Sequence, residues 1–288
     1  MASLRDIQRR IKSVKNTQQI TKAMKMVSAA KLKRAQDDIT AARPYAEKMR
    51  DLITSLAAKT SSESHPLLAE RGGDKVGLIL ITSDRGLCGS FNAVLLRTSE
   101  RFLRERSDSE TALYLLGKRS IEYFKRREIK RIKTMPVGSR RPEYSTAAAI
   151  AREVIALYGR EELDEVNIIF SEFKSVLNQR PIVQKLLPIT AGAGAEGGEG
   201  EGVEVIYEPS IDAVLESLLP KYIEVQVYRA LLESSASEHG ARMTAMDSAS
   251  RNAKEMIRSL TLTYNRLRQA AITKELMEII GGAEALKG

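Results

Sequence analysis

The two ends of the chain repeat apolar residues at alternating spacings of three and four. The N-terminal series comprises Leu4, Ile7, Ile11 and Val14, then Leu32, Ala35, Ile39, Ala42, Ala46, Met49, Ile53 and Leu56. The C-terminal series comprises His239, Met243, Met246, Ser250, Ala253, Ile257, Leu260, Tyr264, Leu267 and Ala271. This spacing keeps one seam of a helix against a partner helix and is typical of coiled coils. We therefore predict two long helices that pair antiparallel; the alternative is two amphipathic helices packed separately on a central domain.

Local signals set the expected ends and breaks of these helices. Between Val14 and Leu32 the seam shifts phase by four residues, which is typical of a stutter. Pro44 should kink the first helix or end it, because proline removes a backbone donor. The second helix should begin near Ser210–Asp212 and stop at Gly281-Gly282.

The middle of the chain alternates strand-like and helix-like segments. Strands are predicted at Val76–Thr82, Ala112–Leu116, Val166–Phe170, Ile182–Ile189 and Val203–Tyr207, and helices at Phe91–Arg104, Arg119–Arg127 and Glu143–Tyr158. Such alternation predicts a Rossmann-like, mostly parallel α/β sheet. We expect three regions: a coiled-coil helix at 1–58, an α/β domain at 75–207 that contains a flexible acidic loop at 191–202, and a second coiled-coil helix at 210–286.

The net charge of +9 is concentrated at the N-terminus. Residues 1–50 contain thirteen Lys or Arg and four Asp or Glu, so the other 238 residues are neutral overall. A basic arm favours an anionic partner, which leaves nucleic acid, acidic lipid and an acidic protein surface open. No aromatic residue precedes Tyr45, so this arm offers no stacking platform for bases.

Cysteine and histidine are too few for several kinds of site. Cys88 is the only cysteine, which excludes an intrachain disulfide, and His65 and His239 are the only histidines. The longest apolar runs are about six residues, far below the roughly 20 that span a bilayer. We therefore expect no metal cluster, no histidine-based catalytic triad and no transmembrane segment.

The segment TSDRGLCGSFN, residues 82–92, combines two glycines with polar residues directly after the first predicted strand. A nucleotide site is one interpretation, although the glycine spacing differs from that of known phosphate loops and no lysine follows. The others are a subunit contact and a structural turn, in which the glycines supply unusual φ angles and Asp84, Ser90 or Asn92 caps a helix. Cys88 is predicted to be a buried, unreactive thiol.

Three stretches together resemble the gamma subunit of F-type ATP synthases. NTQQITKAMKMVSAAKLKRAQ and RPYAEKM resemble its N-terminal helix, TSDRGLCGSFN its signature loop, and SEHGARMTAMDSASRNAKEMI with LTYNRLRQAAITKELMEIIGGAEAL its C-terminal helix. The resemblance covers essentially the whole chain and is weakest at 191–202. It implies a non-catalytic rotor shaft with no cofactor. In that family the shaft turns inside a ring of alternating alpha and beta subunits, and its foot contacts the epsilon subunit and the membrane c ring.

The resemblance also carries roles to individual residues. Lys22, Met24, Lys25, Arg242, Arg268, Gln269 and Thr273 match family positions that contact the beta subunit. Tyr207 and Glu208 match the segment that faces the c ring and epsilon. Thr82, Asp84, Arg85, Gly86, Cys88 and Gly89 match the signature loop.

The family's plastid members carry a redox-active cysteine pair, which this chain lacks. The signature begins near Met1, so we expect no transit peptide and a bacterial protein on the cytoplasmic side of the plasma membrane. Two other functions remain open on the residues alone: a basic coiled-coil protein that binds nucleic acid, and an enzyme that binds a nucleotide at residues 82–92.

Overall fold

The computed structural model describes residues 3–58, 65–138, 141–189 and 210–285. The chain divides into two compact units. Unit 1 comprises Met1–Ser28 with Met243–Gly288, and unit 2 comprises Ala29–Arg242. The elements, in chain order, are α1 (Leu4–Ala58), β1 (Lys75–Ile81), α2 (Phe91–Glu105), β2 (Glu110–Leu116), α3 (Lys118–Phe124), β3 (Lys130–Met135), α4 (Tyr144–Gly159), β4 (Glu165–Phe173), β5 (Gln179–Leu187) and α5 (Ile211–Ala285).

The two terminal helices are long, as their seams predict, but neither the expected end at Pro44 nor the expected stop at Gly281-Gly282 is observed, and the alternative of a kink at Pro44 stays a prediction. Pro44 lies inside α1, which continues to Ala58, because the packed seam on both sides outweighs one lost backbone hydrogen bond. Helix α5 passes through Gly281-Gly282 and ends at Ala285. Glycine weakens a helix by only about 1 kcal/mol per residue and does not forbid it.

Over its described residues, unit 2 has a five-stranded sheet in the order β3-β2-β1-β4-β5. The first four strands are mutually parallel, and β5 runs antiparallel to β4. The predicted mostly parallel sheet is therefore confirmed. Strand β3 was missed, because KRIKTM is basic and lies at the exposed edge, without the apolar run that marks a buried strand. The strand predicted at Val203–Tyr207, like the loop at 191–202, lies outside the described residues.

Each face of the sheet is covered by its own hydrophobic cluster. One face packs on α2 and α3 through residues such as Leu78, Leu95 and Phe124. The other packs on α4, α1 and α5 through residues such as Ile168 and Leu219. All five of these side chains are fully buried. The parts of α1 and α5 that belong to unit 2 thus share a hydrophobic core with the sheet.

Within unit 2 the α1 and α5 segments run antiparallel. Leu32 lies against Gly240, where an added Cβ would be 3.9 Å from the leucine methyl group and 3.3 Å from the ring of Phe173. Further along, residues 39–50 of α1 line one cavity together with residues 225–233 of α5. Contacts therefore move toward the start of α5 as α1 proceeds, which confirms the predicted antiparallel arrangement.

Unit 1 has a much smaller core. Its buried apolar side chains within the described ranges are Ile7, Met246 and Ala253, and Thr21 and Ser28 are buried with them. An ion pair joins α1 and α5 here, with Lys25 Nζ 2.5 Å from Asp247 Oδ1. No helix among the described residues has a stretch both long and apolar enough to cross a membrane.

Candidate functional site

Loop 82–92 leaves the carboxyl end of β1, between β2 and β4. At this position the chain turns to opposite sides of the sheet, and ligands of α/β proteins commonly bind there. The loop leads into α2, whose first backbone N–H groups would face an anion in a phosphate site. The position therefore suits a nucleotide site, and the contacts within the loop decide whether one is available.

The carboxylate of Asp84 binds backbone donors of the neighbouring turns on the β2 and β3 side of the loop. It accepts hydrogen bonds from the backbone N–H groups of Lys118 at 2.9 Å, Val137 at 3.3 Å and Gly138 at 2.7 Å. Among its donors is the N–H of Lys118, so Asp84 binds the first residue of α3 and not the start of α2. The protein's own carboxylate therefore satisfies these three donors and joins the end of β1 to α3 and to the segment after β3.

Thr82 fixes the loop to the neighbouring turn through buried hydrogen bonds. Its hydroxyl donates to the Leu116 carbonyl at 3.1 Å and accepts from the Ser120 N–H at 3.0 Å. Gly117 adopts φ +99°, and a Cβ there would lie 2.2 Å from the Thr82 carbonyl oxygen. Only glycine therefore permits this close approach.

Ser83, Cys88 and Asn92 form a second group of contacts inside the loop. The Asn92 amide accepts from the Ser83 N–H at 3.0 Å and donates to Cys88 Sγ at 3.1 Å. Cys88 is 2% exposed, which confirms the predicted burial of the thiol. Ser90 precedes α2 without a side-chain capping bond, so its predicted cap is wrong. Asn92 instead reaches back to the end of β1.

The left-handed backbone positions of the loop differ from those expected. Gly89 has φ +57°, as predicted for a glycine, but the other left-handed residue is Leu87 at φ +64°, not Gly86. Leu87 is 62% exposed, and Arg85 beside it is also exposed. Strained backbone that presents an apolar side chain to solvent is typical of functional loops.

Arg242 of α5 holds the loop from the other side. Its guanidinium donates toward the carbonyl oxygens of Arg85 at 3.4 Å and Gly86 at 3.3 Å, and pairs with Glu238 at 2.7 Å. Burial raises the pKa of Glu238, while Arg242 opposes that rise. Burial also lowers the pKa of His239 to about 4, and the charges of Arg242 and Lys31 add to that effect.

The remaining predicted contact residues lie in unit 1 and are mostly exposed. Lys22, Arg268, Gln269 and Thr273 are exposed, Met24 is half-buried, and Lys25 is paired with Asp247. The Thr273 hydroxyl donates to the Gln269 carbonyl at 2.9 Å, inside the helix. Tyr207 and Glu208 lie outside the described residues.

Unit 1 also exposes apolar side chains that sequence reasoning did not single out. Among the residues of unit 1 that the structure describes, ten large apolar side chains are at least 50% exposed: Ile20, Met26, Val27, Met256, Leu262, Ile272, Leu276, Met277, Ile279 and Ile280. The sequence does carry a signal for this exposure, because these apolar residues fall outside the heptad seam. The structural partners Ser83 and Glu238 were missed as well; Glu238 lies one helical turn before Arg242, a spacing that favours an ion pair.

A loop closed by its own side chains, together with paired helices that expose apolar residues, is typical of a subunit enclosed by a larger assembly. Comparison with known proteins supports this class. The family model described as ATP synthase matches residues 3–286. ATP synthase gamma chains of Geotalea uraniireducens and Desulforamulus reducens are 54% and 52% identical to this chain, each over the full length of both sequences.

Solved structures agree with the sequence comparison. A chain of the central stalk and c-ring of the Tetrahymena thermophila mitochondrial ATP synthase is 29% identical, with a TM-score of 0.60 over 80% of this chain and 99% of that one. A chain of the Euglena gracilis mitochondrial enzyme has the same fold at 22% identity, with a TM-score of 0.72 over 98% and 94% of the two chains. The chain therefore belongs to the ATP synthase gamma-chain family.

Proposed function

We propose that this chain is the central rotor shaft of an F-type ATP synthase, which couples proton flow through the c ring to conformational cycling of the catalytic beta subunits. The observation that carries the proposal is the ten exposed apolar side chains of unit 1. Exposed apolar surface of this extent favours enclosure by other proteins. The resemblance to the gamma-subunit family implies a ring of alpha and beta subunits as the enclosing partner, and one similar chain comes from a structure titled with F1 and the c-ring.

A shaft without catalytic residues acts by changing which conformation each surrounding subunit favours. It must contact the alternative conformations differently, because a partner shifts an equilibrium only through differential interaction. A single asymmetric chain inside a threefold ring presents a different face to each catalytic subunit. Rotation would then move these faces from one beta subunit to the next and change their nucleotide affinities in turn.

We further propose direct beta-subunit contacts for the exposed residues Lys22, Arg268, Gln269 and Thr273 and for the half-buried Met24. Lys25 and Arg242 already have carboxylate partners within the chain. We propose that both cations also interact with the beta subunit, while Lys25 holds its helix in place and Arg242 holds loop 82–92 in place. Exposed ion pairs contribute only about 0–1 kcal/mol each, so charge would guide angular position more than it tightens binding.

The proposal also includes the contacts of the foot of the shaft and the location of the chain in the cell. Tyr207 and Glu208 would contact the c ring and epsilon. The c ring lies in a membrane, so the chain would be a peripheral subunit at the cytoplasmic face of the bacterial plasma membrane. ATP-driven proton pumping would be the reverse of the same coupling.

Reconstitution tests this function. The purified chain alone should hydrolyse no ATP, and adding it to alpha and beta subunits should restore rapid hydrolysis. Sustained turnover by the purified chain would overturn the proposal. Failure to associate with alpha and beta would overturn it equally.

The contact residues are tested in the assembled complex. Gln269→Leu and Arg268→Gln should lower proton pumping per ATP hydrolysed. The matched control is Arg160→Gln, an exposed arginine of unit 2 that follows α4. Equal coupling ratios in all three variants would remove these residues from the proposed interface.

A further inference from the structure

Unit 2 contains a cavity of about 390 Å³ that the proposed function does not use. It lies between residues 39–50 of α1, the start of α4 and residues 225–233 of α5. Sites for small molecules usually measure about 300–1,000 Å³. The size of the cavity is therefore that of a ligand site rather than of a packing defect.

The cavity has a physical origin in the seam of α1. Ala42 and Ala46 have small side chains, whereas Ile39 and other residues of the same seam have large ones. Two successive alanines leave the space opposite Val225 and Leu232 of α5 unfilled. Ile39, Ala46, Val225 and Leu232 are all less than 10% exposed, so the floor is apolar and shielded from solvent.

Three tyrosines, Tyr45, Tyr144 and Tyr228, form an aromatic wall. The rings of Tyr144 and Tyr228 meet edge to face, with centroids 5.6 Å apart. The Tyr144 hydroxyl donates to Glu224 at 2.7 Å, and burial together with this carboxylate raises the pKa of Tyr144 to about 12. The tyrosine therefore remains a neutral, fixed ring on which a flat or apolar group can pack.

The charged lining comprises two carboxylates, Glu47 and Glu233, and three guanidinium groups, so the positive side chains outnumber the negative ones. Glu233 is 3% exposed and accepts the Phe173 N–H at 2.7 Å. Arg229 lies 3.6 Å from Glu233, and Arg50 lies 3.9 Å from Asp51. Both separations exceed hydrogen-bonding distance, so these guanidinium groups keep donors for another acceptor.

Three guanidinium groups, those of Arg43, Arg50 and Arg229, line this one cavity. Arginine donors beside an apolar floor match a carboxylate, sulfonate or phosphate attached to an apolar body.

We propose that this cavity binds a small amphipathic anion, with its apolar body on the alanine floor and tyrosine wall and its charged group at Arg50 and Arg229. The bound molecule would bridge α1 and α5 within unit 2. Because it binds only the folded pair of helices, it would raise the stability of unit 2 in proportion to its concentration.

The test uses the purified full-length chain and the fluorescent anion 1-anilinonaphthalene-8-sulfonate. We expect saturable binding that laurate displaces and that inorganic phosphate does not, because phosphate lacks the apolar body. Binding with no competition by laurate, or no binding at all, would overturn the proposal.

Variants locate the site. Ala42→Phe, which fills the cavity, should abolish binding, and Arg50→Gln with Arg229→Gln should weaken it by about tenfold or more, as expected for two lost charged hydrogen bonds. The matched controls are Ala149→Phe and Arg160→Gln, both exposed and outside the cavity. Far-UV circular dichroism checks folding, and the double arginine variant carries the test if Ala42→Phe does not fold. Undiminished binding to a folded double arginine variant would assign the dye to the exposed apolar residues of unit 1 and overturn the proposal.

Discussion

Units 1 and 2 use segments of the same two helices in opposite ways. In unit 2 the α1 and α5 segments bury their seam against the sheet, and residues such as Leu56 and Leu219 are completely buried. In unit 1 three apolar side chains are buried among the described residues, while ten large ones are exposed. Unit 2 thus carries its own core, whereas unit 1 resembles one half of an interface. A heptad seam therefore fixes helix pairing but does not by itself supply a stable core.

The largest expected contrast comes from one chemical change made in both units. Leu113→Ala removes a fully buried side chain from unit 2 and should lower the free energy of unfolding by about 3–5 kcal/mol. Leu262→Ala removes a side chain that is 64% exposed in unit 1 and should change it by less than about 0.5 kcal/mol. Urea unfolding followed by circular dichroism measures both. Similar losses in the two variants would mean that unit 1 has a core of its own.

The next effect concerns the clamp between α5 and loop 82–92. Arg242→Met should destabilise unit 2 by about 2–4 kcal/mol, because it leaves Glu238 buried without its cation and frees the loop carbonyls. Adding Glu238→Gln should recover part of that loss, since the amide carries no charge to be paired. Urea unfolding midpoints of Arg242→Met and of the double variant measure this recovery. If the double variant is no more stable than Arg242→Met, the proposed clamp is contradicted.

A smaller effect depends on pH and is confined to unit 2, which contains both histidines. The folded pKa of His239 is lowered to about 4 from 6.5, so the unfolded chain binds the proton more readily. Stability should be complete above pH 6.5 and fall as the pH drops toward 4, by about 1–2 kcal/mol at pH 5. His239→Gln should flatten that slope in urea titrations at pH 7 and 5. An unchanged slope would assign the acid sensitivity to other groups.

The smallest effect belongs to the ion pair of unit 1. Lys25→Met should lower the unfolding midpoint slightly in dilute buffer and not at all in 1 M salt, because exposed charges are screened. Lys22→Met, at an exposed lysine three residues earlier, is the control. Lys25 holds the pKa of Asp247 below its usual value, so the contribution of the pair should disappear as the pH falls through that lowered pKa. A salt-independent effect would indicate that the methylene stem of Lys25 matters more than its charge.

Sequence periodicity predicted most of the fold, since burial on one face repeats locally. The seams gave both long helices, and the apolar runs gave four of the five strands of the sheet. Strand β3 escaped because an edge strand such as KRIKTM needs no apolar run. Helix ends were less predictable, because glycine and proline change local free energy by amounts that tertiary packing overrides, as at Pro44 and Gly281.

The candidate site was likewise predicted only in part from the sequence. The sequence identified loop 82–92 and argued that its glycine spacing is unlike that of a phosphate loop. It did not predict that Asp84 fills the donor group at the end of the sheet, nor that Leu87 takes the left-handed backbone. Its assignment of Arg242 to a partner by resemblance stays a prediction, and it did not predict that the guanidinium donates to the carbonyl oxygens of Arg85 and Gly86.

The sequence by itself determined the antiparallel helical ends, the mostly parallel sheet and, through its motifs, the family. Only the tertiary structure decided which polar groups pair and where space remains. Asp84 meets Gly138 from 54 residues away, and Arg242 meets the Gly86 carbonyl from 156. The physical reason is one of range: periodic burial is encoded every few residues, whereas hydrogen-bond partners and cavities such as the one at Ala42 depend on which distant segments the fold brings together.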